Sequence, residues 1–469
     1  MMEGENPLAN AIRATFTRPS WGFLLLIFTG LAVLSIHITR NTIFQLGPIS
    51  SQAGLERPRG PPSCSGLFEA PPPRKVVKSI SEFGGVGDGR TSNTAAFRRA
   101  MEYMEKFRGT GGTQLNVPKG RWLTGSFNLT SDFTLFLEDG AVILGSQVIM
   151  ATIDGQGKMW WDLWWNKTLE YTRGHLVELI NSHNILITNL TFRNSPFWTI
   201  HPVYSSNVVI KNMTILAPLH APNTDGIDPD SSTDVCIEDC YIESGDDLVA
   251  VKSGWDHYGI RMARPSVNIT VRRVSGTTPT CSGIGIGSEM SGGIRNVLVE
   301  NLYVRDSAAG VRIKTDKGRG GYITNITMRN IMMERVKVPI RFSRGADDHP
   351  DEQWDSKALP KVKGISISNV ISVDSRKAPL LQGIDGAPFE DICMKNVSIS
   401  GLSPSVKWNC EFVSGFSDGV SPVPCFELQK MAHHLGVHIP ELQWSLKFRP
   451  YSMVVKYMEK SIQFLCRHR

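Results

Sequence analysis

Cysteine is scarce in this chain, with eight in 469 residues. That excludes a small disulfide-stapled scaffold, and no CxxC pair or Cys/His cluster has the spacing of a zinc site, so no structural metal is expected. A strong charge of one sign is also missing. Lys+Arg number 50 against 44 Asp+Glu, a net of +6, which permits a polyanionic partner without pointing to one. The excess sits at the ends: residues 1–78 hold 8 basic and 4 acidic side chains, 440–469 hold 6 and 2, and the body between holds 36 and 38. Global basicity is therefore no argument for an acidic ligand, and no nucleic-acid partner is expected. Helical spacing of apolar residues is absent from most of the body. Hydrophobic residues still make up 41% of the chain, enough for a core and too many for a disordered protein.

Long apolar runs are lacking except for one. Trp21 to Ile38 reads WGFLLLIFTGLAVLSIHI, without a formal charge. A cleaved signal peptide has a shorter apolar region, about 7–15 residues, closed by a small-x-small site. This run has no clear site of that kind and just reaches bilayer length. It reads as a signal anchor (21–38) after a cytoplasmic segment (1–20), placing the rest in the lumen or outside; cleavage would instead secrete it. Residues 39–78, rich in Pro, Gly and Ser, read as a stem. Sequons begin at Asn128, Asn166, Asn189, Asn212, Asn268, Asn325 and Asn396, consistent with a glycosylated body in the secretory pathway.

What the body does contain is repetition. Asn184-Ile-Leu-Ile-Thr-Asn-Leu-Thr-Phe returns as Asn207-Val-Val-Ile-Lys-Asn-Met-Thr-Ile, and related segments start at Asp234, Asn268, Asn296, Asn325, Gly364 and Asp391. A period in the twenties to thirties marks a solenoid, whose units bury their apolar faces only by stacking. Each unit holds two short β-type runs split by a polar pair, and β-branched residues dominate. The expected fold is all-β, a right-handed single-stranded parallel β-helix over 79–426. Asn93 to Phe107, with Asn93 as cap, is expected to be a helix closing its N-terminal end. The recurring Asn residues are read as architecture at one bend.

Acidic residues concentrate in two adjacent repeats, Asn223-Thr224-Asp225-Gly226-Ile227-Asp228 and Ser244-Gly245-Asp246-Asp247. On neighbouring rungs their carboxylates would lie about 4.8 Å apart along the axis, and such crowding raises one pKa, as a general acid beside a base requires. Further on come Ser282-Gly283 in a Gly-rich strand and Arg312-Ile313-Lys314, whose two cations share a face and could clamp a sugar carboxylate. Asp88 and Asp228, each in an Asp/Gly-rich context, read more simply as turn residues.

Asn223-Thr224-Asp225, Gly245-Asp246-Asp247 and Arg312-Ile313-Lys314, in this order and spacing, resemble the signature of polygalacturonases, glycoside hydrolase family 28. Phe83-Gly84-Gly85 and Ile153-Asp154-Gly155-Gln156-Gly157 are similar to that family as well. The resemblance spans about Ile80 to Cys425. It implies a pectin-lyase-like parallel β-helix and cofactor-free, inverting hydrolysis of α-1,4 galacturonosyl bonds in a pectic polysaccharide of the cell wall. Asp246 would be the general acid, Asp225 and Asp247 would activate water, and Arg312 and Lys314 would hold the uronate carboxylate, with Asn223, Ser282 and Gly283 also at the substrate. A monomer is expected. The chain departs from the pattern in three places: Ser282 stands where the family usually has His, Gln147 runs almost directly into Ile153, and the basic tail 427–469 is atypical. The short junction suggests an incomplete early coil. Cys410 and Cys425, flanking a short loop, are expected to form a disulfide. Rival readings are a calcium-dependent pectate lyase and a catalytically weak glycan-binding homologue.

Overall fold

The computed structural model describes residues 73–145 and 153–429. The apolar run Trp21–Ile38, the segment before it, the stem up to residue 72, residues 146–152 and the tail from residue 430 lie outside the described residues. Among those described, no helix is long and apolar enough to cross a membrane.

Short runs of β-branched residues form strands, and every pairing between the named strands is parallel to its neighbour. The longest of the three main sheets has 14 strands, from Gly120–Thr124 to Val413–Ser421. A shorter one runs through Val249–Val251, Ser282–Ile286, Ala309–Lys314, Val338–Ser343, Leu380–Gln382 and Asn409–Glu411. Single bridges from Ile227 to Ile200 and Val249 extend that short sheet to Ile200–Val203 and Val177–Ile180. Val76–Ser79, Thr113–Val117 and Phe133–Leu137 form the third. The stacked repeats thus wind as a parallel β-helix around one apolar core.

The strand Ile294–Arg305 shows how the sequence produces a bend. Val297 and Val299 point inward, as do Leu302 and Val304, so the alternation slips by one residue between them. Asn301 makes the slip, with φ at 56°. That left-handed conformation costs most L-residues about 1–2 kcal/mol, and Asn tolerates it best after Gly. Stacked rungs then put these Asn side chains in register. Asn330 donates to Asn301, Asn369 to Asn330 and Asn396 to Asn369, at 3.1–3.3 Å. A second ladder at the start of each repeat runs from Asn325 to Asn296, Asn268 and Asp234, at 2.7–3.1 Å. The same sheet pairs arginines with carboxylates one rung away: Arg272 with Glu238, Arg273 with Asp239, Arg329 with Glu300 and Arg335 with Asp306, all at 2.6–2.7 Å.

Thr94–Glu105 is the expected end helix, with Phe97, Ala100, Met101 and Met104 buried against the first coils. Asn93 does not cap it. Its amide instead accepts from Val86 N and donates to Val86, Thr91 and Leu123 carbonyls, fastening the Gly-rich loop to the sheet. The first strand, Val76–Ser79, ends where the expected β-helix span begins, and Ile80–Phe83 is a 3-10 turn with a Ser79/Glu82 capping box at its start. β-structure begins at Val76, inside the stretch read as stem.

The short junction leaves a visible mark. Between Ala141–Gly145 and Thr191–Arg193 the long sheet carries a rung of two residues, Ile153–Asp154. The N-terminal sheet stops at Phe133–Leu137, and among the described residues no strand covers the leading edge of Val177–Ile180 or His183–Thr188. Among the described residues that coil is a fragment, and partly buried Ile153 packs against both the N-terminal apolar cluster and the main one. Cys410 and Cys425 are bridged. Cys236 is buried and disulfide-bonded as well.

Candidate active site

The acidic repeats meet on the outer face of the short sheet, where that face bends. The bridge from Ile227 to Val249 puts Asp225 level with Asp247 on adjacent rungs, and Gly226 N donates to Asp247 O at 3.0 Å. The turn before Asp247 is built by hydroxyls. Ser244 Oγ donates to Thr224 O at 2.6 Å, Gly245 N to Thr224 Oγ1 at 3.1 Å, and Asp246 N to Ser244 Oγ at 2.9 Å. Glycine is required at 245, since a Cβ there would lie 2.0 Å from Ala221 O. At Gly285 a Cβ would lie 2.8 Å from Asp247 Oδ2, so the Gly-rich strand leaves room for that carboxylate.

Asp247 is fully buried and well supplied with donors. Lys314 Nζ lies 2.6 Å from Oδ2, Ser282 N donates to Oδ1 at 2.8 Å, and Ser282 Oγ donates to the same oxygen. Burial alone would push this carboxyl up, but Lys314, Cys281 and Ser282 together hold it well below the usual carboxylate range. Asp246 goes the other way, raised by burial and by the charge of Asp247. Asp225 is raised further, by burial and then by Asp246 and Asp228, and its Oδ1 has no hydrogen-bond partner. Two carboxyls biased towards the protonated form thus stand beside one biased towards the ionised form. That is the arrangement for giving one proton while taking another.

The expected site residues are brought together with some changes of role. Arg312 and Lys314 share a face of Ala309–Lys314, but Lys314 is spent on Asp247 rather than free for a ligand. Among the described residues, the only side-chain hydrogen bond of Arg312 goes to the Cys281 thiol, at 3.6 Å. Ser282 serves Asp247, while Gly283 packs inward against Val304. Asn223 is held by Arg173, whose guanidinium donates to Asn223 Oδ1 at 2.6 Å and to the Pro222 and Pro196 carbonyls.

Asp88 is the turn residue expected of it, accepting from Arg90 and Thr91. Asp228 is not. It is fully buried on the sheet with both oxygens unpartnered, 3.9 Å from Lys252 Nζ, which itself pairs with Glu289 at 2.9 Å and lies over the Trp198 ring. The clue was in the pattern: Ile227 points inward, so Asp228 must point outward beside it. Arg173, Lys252, Glu289, Trp198 and His201 carried no local signal, because only stacking brings them to the aspartates.

The ligand atoms of Asp246, Asp247 and Cys281 lie within 4.8 Å of one another, as do those of His175, Glu178 and His201. At the first group Lys314 already supplies the positive charge that a cation would bring. At the second, burial and the neighbouring His201 lower the His175 pKa to about 4, keeping it neutral.

The pattern of "Glycosyl hydrolases family 28" matches residues 129–422. A "Probable polygalacturonase" of Vitis vinifera is 44% identical over 392 residues, covering 75% of this chain and 80% of the relative. A second, from Arabidopsis thaliana, is 30% identical over 399 residues, covering 74% and 80%. Among solved structures, an exopolygalacturonase from Thermotoga maritima aligns with a TM-score of 0.65 at 26% identity, covering 76% of this chain and 94% of that one.

Proposed function

The chain belongs to glycosyl hydrolases family 28, and from that premise we propose that its three aspartates cleave α-1,4 galacturonosyl bonds of a pectic polysaccharide by inverting acid/base hydrolysis. The carrying observation is the opposed bias of neighbouring carboxyls: Lys314 and Ser282 draw Asp247 towards the ionised form, while burial and mutual repulsion push Asp246 and Asp225 towards the protonated one. Asp246, the one of the three that is partly exposed, gives its proton to the glycosidic oxygen as the bond breaks. Asp247 takes a proton from the water that attacks the anomeric carbon from the opposite side. The free Oδ1 of Asp225 orients that water. Exchange with solvent removes the proton from Asp247 and returns one to Asp246, so the residues end as they began. Arg312 binds a substrate carboxylate.

Purified protein should release reducing ends from polygalacturonate, and proton NMR of early product should show the inverted anomer. Unsaturated, ultraviolet-absorbing products lost on chelation would replace hydrolysis with a lyase reaction. Binding to pectic polymers without reducing-end release would leave a carbohydrate-binding homologue.

The protein's route is part of the same reading: entry into the secretory pathway through 21–38, with the catalytic body lumenal, extracellular or at the cell wall. Glycosylation would then be uneven. Asn268, Asn325 and Asn396 commit their amide nitrogens to the ladders, whereas Asn128, Asn166, Asn189 and Asn212 are exposed with no ladder bond. Glycopeptide mapping should find sugar at the second group before the first; unmodified sequons throughout would contradict the route.

A further inference from the structure

The two sheets treat arginine differently. On the long sheet Arg272, Arg273, Arg329 and Arg335 each meet a carboxylate of the previous rung at 2.6–2.7 Å. On the short sheet Arg312 stands in register with Arg341 of the next strand. Adjacent rungs are about 4.8 Å apart, so two guanidiniums project side by side. Neither has a carboxylate within ion-pair distance among the described residues, and the buried Nε of each has no hydrogen-bond partner. Repulsion shows on Arg341, whose pKa is lowered by burial and by Arg312. Beyond Arg341 the register passes to Leu380, so the basic row is two residues long. It begins one strand from Gly285, over which Asp247 lies.

Like charges on neighbouring rungs are unfavourable unless an anion lies between them. Lys314 cannot relieve the pair, being bound to Asp247. We propose that Arg312 and Arg341 form a two-guanidinium clamp for a uronate carboxylate, and that Arg341 is a specificity-determining residue for de-esterified over methyl-esterified galacturonan. The planar fork of each arginine suits a carboxylate, which accepts two parallel hydrogen bonds. A methyl ester removes the charge and one acceptor oxygen's strength together. The inference rests on the proposed galacturonan substrate and adds to it a residue and a preference.

The test compares wild type with Arg341→Met and Arg341→Lys on oligogalacturonides of matched length, de-esterified or fully methyl-esterified. The quantity read is the ratio of kcat/KM for the two substrates. Met keeps the aliphatic stem and removes the fork, so the preference for the free acid should fall about 10- to 100-fold, the worth of a charge-assisted hydrogen-bond pair. Lys should restore part of it. A ratio unmoved in Arg341→Met, or an equal loss on both substrates, overturns the clamp. Thermal unfolding of each variant separates misfolding from lost recognition. If wild type hydrolyses neither polymer, the catalytic reading fails, and calorimetric binding of the de-esterified oligomer to wild type and Arg341→Met still decides the clamp: tighter binding by wild type supports it, equal or absent binding removes it.

Discussion

The long sheet and the short sheet are wound from the same coils, yet the repeat is put to different uses on each. On the long sheet like stacks on like or on its complement: Asn on Asn, Arg on carboxylate. Each rung there satisfies the next, and the result is a stable spine. On the short sheet successive rungs differ, placing Asp225 beside Asp247, Asp228 near Lys252 and Arg312 beside Arg341. These groups are crowded or unpartnered, a cost in stability that a pure scaffold would avoid. The same rung spacing thus gives satisfaction on one face and unspent electrostatic potential on the other.

Substitutions on each sheet should therefore fail in different currencies. The largest effect is expected for Asp246→Asn or Asp247→Asn, which should cut reducing-end release by about 10²–10⁴-fold, the usual contribution of a positioned acid or base; the thermal midpoint should be little reduced in Asp246→Asn and lowered in Asp247→Asn, which leaves the Lys314 ammonium buried without its partner. Comparable activity in both variants would sink the assignment. Lys314→Met should come next. Without the ammonium, burial raises Asp247, so the acidic limb of the pH–rate profile should move upward and the neutral-pH rate fall about tenfold or more. An unmoved limb would mean that Asp247 is not the base.

Stability should respond with opposite signs within the cluster. Asp247 is lowered in the fold, so its stabilisation is present above the ordinary carboxylate range and is lost as pH falls through its folded pKa. Asp225 is raised, so the folded state loses stability as pH climbs from the ordinary carboxylate range towards that raised pKa. Asp225→Asn should accordingly be inactive but at least as stable as wild type near neutral pH. Denaturant unfolding at pH 4 and pH 7 would expose the reverse trend if the sign is wrong.

The smallest effects should come from the spine. Asn330→Ala breaks two ladder bonds and forces Ala to φ 56°, so a loss of about 1–3 kcal/mol is expected. Asn330→Gly keeps the left-handed turn and should lose less. Neither should change kcat. A rate effect from the ladder as large as one from the aspartates would erase the distinction between the two sheets.

The repeat was legible because a β-helix writes its inward face locally, as Val297, Val299, Leu302 and Val304 do around Asn301. Asp225, Asp246 and Asp247 were legible as a cluster because their spacing is close to one coil. Asp228 was misread, since an Asp before Pro229 looks like a turn until the bridge at Ile227 turns it outward onto the sheet. Lys314 had the right face and a different partner: a two-residue spacing says where a side chain points, not which charge meets it. Arg341 escaped notice because its significance lies in its register with Arg312, 29 residues away. The junction at Gln147 lies outside the described residues; next to it the long sheet carries the two-residue rung Ile153–Asp154.

Scarce cysteine, near-balanced charge and missing helical periodicity, together with the Asn-punctuated repeats, were enough to specify a stacked β architecture, because alternation and bend residues act within a few positions of one another. Which carboxyl is ionised, which cation is already engaged and which arginines lack an anion depended on the winding. Those properties arise from distances between rungs, and electrostatic energy in a buried site is set by the nearest few ångströms in space, whatever the separation along the chain.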